Sequence, residues 1–245
     1  MSIFGRKKHW ITPDGRYYDL FADMAAQPHL MIAGATGSGK SVVERGIMHA
    51  LLYSSPARVQ FILIDPKKVE LIDYINLPHV IRYAADPDDR IDALQQACRI
   101  MDARFTEMSK QGAKMYDGPD IYVLIDELAD LMTTQKRGAA PLIQHIGQLG
   151  RAARVHLIVC TQCPLREIIP TSIACNIDAR VALRTRNAQD SRNIMQRSGC
   201  ELLPRYGRGY YMRPGELDLY NIPMIPPEEI ARLVTWWTSP RRCTA

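Results

Sequence analysis

No apolar run in this 245-residue chain approaches the roughly 18 residues that a membrane-spanning helix needs. The N-terminus, Met1-Ser-Ile-Phe-Gly-Arg-Lys-Lys-His-Trp10, is basic but has no apolar segment behind it. It does not read as a secretory leader, and the expected location is the cytoplasm. Cysteine is sparse: Cys98, Cys160, Cys163, Cys175, Cys200 and Cys243 make no disulfide scaffold in a chain of this length. Cys160-Thr-Gln-Cys163 has C-x-x-C spacing, but no second close pair follows, as a zinc ribbon requires. Cys160 ends an apolar run, where free cysteine sits as a small hydrophobe. No charge sign dominates either: 31 Lys and Arg against 26 Asp and Glu leave +5. That permits a polyanionic partner without demanding one. Internal repeats, long linkers and low-complexity tracts are all missing.

What is present is a core. Hydrophobic residues make up 47% of the chain, enough for one large α/β domain and too much for global disorder. We expect residues 1–20 to form a peripheral arm, with a turn at Thr12-Pro-Asp-Gly15, and residues 21–245 to form the domain. Buried strands are predicted at His29–Ala33, Val59–Ile64, Ile121–Ile125, Val155–Cys160 and Ile177–Leu183. An edge strand is predicted at Gly209–Met212. Helices are predicted at Ser41–Tyr53, Asp88–Ser109, Leu128–Thr134, Ala140–Ala153, Asp190–Arg197 and Pro226–Trp237. Gln135-Lys-Arg-Gly138 reads as a basic break between two of them. Strands alternating with helices argue for a largely parallel sheet with helices on both faces.

The chemistry is concentrated after the first strand. Gly34-Ala35-Thr36-Gly37-Ser38-Gly39-Lys40-Ser41 matches G-x-x-x-x-G-K-[ST] in the strand–turn–helix setting this motif requires. The glycines let backbone N–H groups face a phosphate chain, and the helix N-terminus adds partial positive charge there. Lys40 is suited to the β and γ phosphates of ATP, and the Ser41 hydroxyl to Mg²⁺. Three more strands end on polar residues: Asp65, Asp126-Glu127 and Thr161-Gln162. In an open parallel sheet, ligands collect at the carboxyl ends of strands. Asp126 is the candidate to position Mg²⁺, and Glu127 the candidate base for an attacking water. Thr161 and Gln162 are candidate sensors of the γ-phosphate; their alternative role is to satisfy a strand end.

Arg151 and Arg154 close the helix before the fourth strand. They suit either of two roles: a favourable cation at a helix C-terminus or an arginine reaching a neighbouring subunit's nucleotide. Lys110, Lys114, Lys136 and Arg137 are expected in two loops next to the third strand. They suit nucleic-acid phosphates or plain solvation.

At these residues the chain resembles the FtsK/SpoIIIE family of DNA translocases. The resemblance runs from about Asp19 to Met212. It is carried by Pro28-His-Leu-Met-Ile-Ala-Gly34, Ile64-Asp-Pro-Lys67, Leu77-Pro-His79, Ile125-Asp-Glu-Leu-Ala-Asp-Leu131, Arg151-Ala-Ala-Arg-Val-His-Leu157, Thr161-Gln-Cys-Pro164 and Asp190-Ser-Arg192. It implies a RecA-like P-loop NTPase of the ASCE type, acting as an ATP-driven motor in a hexameric ring around double-stranded DNA. It also implies that Arg151 acts in trans and that the segments at 110–119 and 133–139 are DNA-facing pore loops. Two departures stand out: Cys163 where the family usually has arginine, and Ala188 where many members carry a second trans-acting basic residue, with Arg184 and Arg186 close by. No segment resembles the family's membrane spans, complete ring-forming domain or winged helix. The expectation is a reduced, motor-only member serving a plasmid, conjugative element or phage, aided by a partner protein. Two other readings remain open: an ATP-gated coupling or recruitment module that moves nothing, and a protein-secretion ATPase.

Overall fold

The computed structural model describes residues 27–162 and 168–239 in full, together with two short strands before them. The expected turn at Thr12–Gly15, Cys163 and Cys243 lie outside the described residues. Ten strands form one sheet: β1 (Trp10–Ile11), β2 (Tyr17–Tyr18), β3 (Leu30–Ala33), β4 (Val59–Ile64), β5 (Val80–Ala84), β6 (Asp120–Ile125), β7 (Val155–Thr161), β8 (Ala179–Ala182), β9 (Arg208–Arg213) and β10 (Glu216–Asn221). The helices are α1 (Lys40–Leu51), α2 (Pro87–Gln111), α3 (Leu128–Thr134), α4 (Lys136–Ala153), α5 (Thr171–Ala174), α6 (Ala188–Met195) and α7 (Pro227–Thr238).

The strand order is β2-β1-β10-β9-β8-β3-β7-β6-β4-β5. The six strands from β8 to β5 run parallel. The other four add antiparallel pairs beyond β8. β7 separates the strand that leads into the glycine loop, β3, from the strand that ends on Asp126, β6.

The central strands are apolar on both faces because helices cover both. Along β6, Ile121, Val123 and Ile125 enter one layer, and Tyr122 and Leu124 enter the other. The first layer packs on Leu94, Ala97 and Met101 of α2, Leu131 of α3 and Ile143 and Ile146 of α4. The second packs on Val43, Ile47 and Leu51 of α1 and Ile230 and Leu233 of α7. Each of the Leu, Ile, Val and Met side chains among them contributes roughly 1.5–3 kcal/mol on full burial.

Register aligns the carboxyl ends. Ala33 pairs with Thr161 on one side and Ala182 on the other, and Ile125 pairs with Ile64 and Val159. Gly34, Asp65, Asp126 and Gln162 therefore leave the sheet along one rim.

The structure corrects four expectations. β5 was not expected, because its first four residues are only half-buried and carry no full apolar run. β10 was not expected, because Glu216-Leu-Asp-Leu-Tyr-Asn221 alternates with acidic residues and is stabilised by pairing to β9. β9 is no edge strand: it lies between β8 and β10. The basic break is a single residue, Gln135, and α4 begins at Lys136, since Ala139 and Ile143 anchor its first turns in the core.

Candidate nucleotide site

The glycine loop is shaped by contacts that tolerate no side chain at its start. A Cβ on Gly34 would lie 2.6 Å from Ser38 Oγ and 2.8 Å from Leu183 Cβ. Gly39 caps α1 in the left-handed region at φ 101°, which glycine adopts without strain. The Ala35 N–H donates to the Arg184 carbonyl at 2.8 Å, tying the loop to the end of β8. Lys40 lies back across the loop, donating to the carbonyls of Gly34 at 3.0 Å and Ala35 at 3.3 Å. Burial lowers its pKa, against an opposing pull from Glu127.

The acidic residues divide their tasks. Asp65, fully buried, accepts from the backbone N–H of Lys67 at 3.2 Å and of Leu71 at 3.0 Å. It builds the turn after β4. Asp126 is buried, and its Oδ2 has no hydrogen-bond partner. Burial, then the charge of Asp65, raises its carboxyl to about 6. Glu127 Oε1 accepts from the Gln162 N–H at 3.1 Å, and its Oε2 lies 3.4 Å from Lys67 Nζ. The Gln162 side chain accepts from the Thr36 hydroxyl at 2.7 Å. Gln162 thus joins the glycine loop to Glu127. Thr161 is fully buried beside them at the end of β7.

The orphaned Asp126 oxygen and the Ser41 hydroxyl fit Mg²⁺. Among the described residues no three His, Cys, Asp or Glu side chains converge as a self-sufficient metal cage. Few protein donors are what this ion takes when it arrives with a phosphate chain. Cys160 contributes no ligand: it is buried against Glu44, Sγ to Oε2 3.8 Å, and burial pushes its thiol well up.

The mouth of the site is basic, which the sequence pattern did not reveal. A cleft of about 330 Å³ is lined by Ala35, Thr36, Gly37, Ser38, Arg184, Thr185, Arg186 and Arg205. The Arg205 guanidinium comes within 3.2 Å of where a Cβ on Gly37 would stand. No local motif marks Arg205, which reaches the loop from 168 positions away in the chain. Lys67, Glu70 and Glu44 were also unassigned by motif, though Lys67 and Glu70 follow Asp65 on the same rim.

Other candidates lie elsewhere. Arg151 is exposed at the end of α4, before β7 begins at Val155. The length of β7, about 20 Å, separates it from the rim of its own chain's site. Arg154 is committed: its guanidinium binds Asp120 at 3.0 Å and 2.6 Å. The four basic candidates do not form one patch. Gln135 donates to the Pro87 carbonyl at 2.7 Å, and the Tyr116 N–H to the Ala152 carbonyl at 2.9 Å. α2 and α4 therefore run side by side in one direction. Lys136 and Arg137 sit at one end of the pair, Lys110 and Lys114 at the other, separated by roughly the 27 Å length of α4.

A sequence model of the FtsK/SpoIIIE family matches residues 11–120 and 113–166. The DNA translocase FtsK of Helicobacter pylori strain J99 is 36% identical over 229 residues, 86% of this chain and 27% of that protein. The chain thus spans about a quarter of the length of this curated relative. Among solved structures, the cytoplasmic domain of the Thermomonospora curvata type VII secretion ATPase EccC superposes with a TM-score of 0.79 at 23% identity, covering 96% of this chain and 32% of that one. The pCW3 conjugation coupling protein TcpA, solved with ATPγS, gives 0.77 at 19% identity, covering 96% of this chain and 73% of that one. At these identities the likeness is one of fold alone.

Proposed function

The chain belongs to the FtsK/SpoIIIE family, and from that premise we propose that it is an ATP-hydrolysing motor that translocates double-stranded DNA. The observation that carries this reading is the meeting of the glycine loop, Asp126, Glu127 and Gln162 on one rim, with Gln162 bonded to both Thr36 and Glu127. Residues 21–245 are taken as the motor domain and residues 1–20 as its arm. No helix among the described residues is long and apolar enough to cross a membrane, and we place the motor's action in the cytoplasm.

In this mechanism Lys40 leaves the carbonyls of Gly34 and Ala35 for the β and γ phosphates, while the loop N–H groups and the α1 N-terminus hold the rest of the chain. Ser41 and Asp126 would hold Mg²⁺, which when bound would supply positive charge to offset that of the phosphates. Glu127 takes the proton of the attacking water, and Thr161 and Gln162 report the γ-phosphate to the loop. Arg151, too far from its own site, completes the neighbour's in a hexameric ring. Lys110 and Lys114 at one end of the α2–α4 pair, and Lys136 and Arg137 at the other, contact DNA phosphates at two heights along the pore. Such contacts carry no sequence information.

The test is steady-state ATP hydrolysis with and without long duplex DNA at low and moderate salt. DNA should stimulate turnover, and the stimulation should fade with salt. Glu127→Gln should still bind ATP and lose roughly 10²-fold or more in turnover. Normal turnover in that variant would remove the mechanism. A second reading keeps the site and changes the cargo, since related folds occur in a secretion ATPase and in a conjugation coupling protein. Stimulation by polypeptide instead of DNA would favour the first of these. ATP-dependent partner binding without stimulated turnover would favour a coupling module.

A further inference from the structure

The Ser41 hydroxyl donates to Glu70 Oε1 at 2.7 Å, a length typical of a hydroxyl bonded to a charged carboxylate. Glu70 is half-buried and comes from the turn after β4, 29 positions away in the chain. Asp65 shapes that turn by accepting from the N–H groups of Lys67 and Leu71. Asp126, the carboxylate otherwise available to a hydroxyl here, keeps Oδ2 without a partner.

We propose that Glu70 is a positioning residue for the nucleotide-bound metal ion: it accepts the hydrogen bond of the Ser41 hydroxyl and thereby turns that hydroxyl's lone pairs toward the ion. A hydroxyl that ligates a cation does so through its oxygen, so its proton needs an acceptor elsewhere. Glu70 fills that need and leaves Asp126 Oδ2 for the ion or its water shell. Partners one step behind a metal ligand orient it, and their removal typically costs about 10–100-fold in metal affinity. Asp65 acts one step further back, by holding the turn that delivers Glu70. The inference rests on the nucleotide site proposed above.

The experiment is a titration of the full chain with a fluorescent ATP analogue at a series of Mg²⁺ concentrations and in EDTA. Glu70→Ala should raise the Mg²⁺ needed for half-maximal binding by roughly 10–100-fold and leave binding in EDTA unchanged. Glu70→Gln, whose side-chain carbonyl still accepts the hydrogen bond, should shift it only a few-fold. A Glu70→Ala chain that follows the wild type across the Mg²⁺ series overturns the proposal, as does an equal loss with and without metal. If Glu70→Ala does not fold, Glu70→Gln is compared with Ser41 and with Ser41→Ala. The shift must be present in the first background and absent in the second; equal shifts overturn it. A wild-type chain that binds no nucleotide removes the underlying reading as well. Mg²⁺-dependent wild-type binding with no effect at Glu70 removes the role of Glu70 alone.

Discussion

Lys67 Nζ lies 3.4 Å from Glu127 Oε2, so the carboxylate assigned as the base is held from both sides, its other oxygen bonded to the Gln162 N–H. An ammonium held on Oε2 occupies a lone pair that the proton of the attacking water would need. Lys67→Met should therefore raise DNA-independent ATP turnover, by a factor of a few, and reduce the stimulation that DNA adds. The magnitude stays small because the lysine side chain is 45% exposed and its charge is screened. Basal turnover at or below the wild-type rate would show that Lys67 aids the base instead of restraining it.

Arg205 overhangs the glycine loop at Gly37, beside Arg184 and Arg186. A guanidinium placed there suits a phosphate chain held by the loop. Arg205→Ala should weaken ATP binding about tenfold, the worth of one hydrogen bond to a charged group of about 1.5 kcal/mol. The deficit should shrink with added salt, because the residue is exposed. Calorimetry at two ionic strengths reads both effects. Unchanged affinity would make Arg205 a surface residue only.

A third prediction concerns stability and leaves the chemistry alone. Asp120, at the start of β6 on the rim opposite the glycine loop, meets Arg154 at 2.6 Å and His156 at 2.8 Å. Burial by itself raises its carboxyl, but the hydrogen bonds and charges of His156 and Arg154 outweigh burial and hold it below the ordinary 3.8. A depressed acid stabilises the fold above its unfolded value, and that contribution is lost as pH falls through the folded one. Asp120→Asn should cost about 1–3 kcal/mol at pH 7 by leaving its partners short of a charged acceptor. The gap to the wild type should close as pH drops below about 4. Urea unfolding at pH 7, 5 and 3.5 measures it, and a gap that stays constant would refute the assignment.

The sequence is enough to specify the glycine loop, the strand entering it and the helix leaving it, because that chemistry is written in contiguous residues. It also specifies the central strands: both faces of β3, β4, β6 and β7 are buried, so apolar runs mark them. Asp126-Glu127 and Thr161-Gln162 were legible for the same reason, as polar residues that end such runs. Half-exposed β5 and acidic β10 carry no such mark, since main-chain pairing to a neighbour is what makes them strands. The start of α4 is hidden in the sequence because Lys136 and Arg137 look like a break, while Ala139 and Ile143, docked in the core, are what extend the helix. Packing of the folded chain settles which residues meet across it. It set Glu70 on Ser41, Lys67 on Glu127 and Arg205 over Gly37. It committed Arg154 to Asp120 while Arg151 stayed exposed, and it divided the basic residues between the two ends of α2 and α4. These relationships depend on the register and order of parallel strands, which no local pattern encodes.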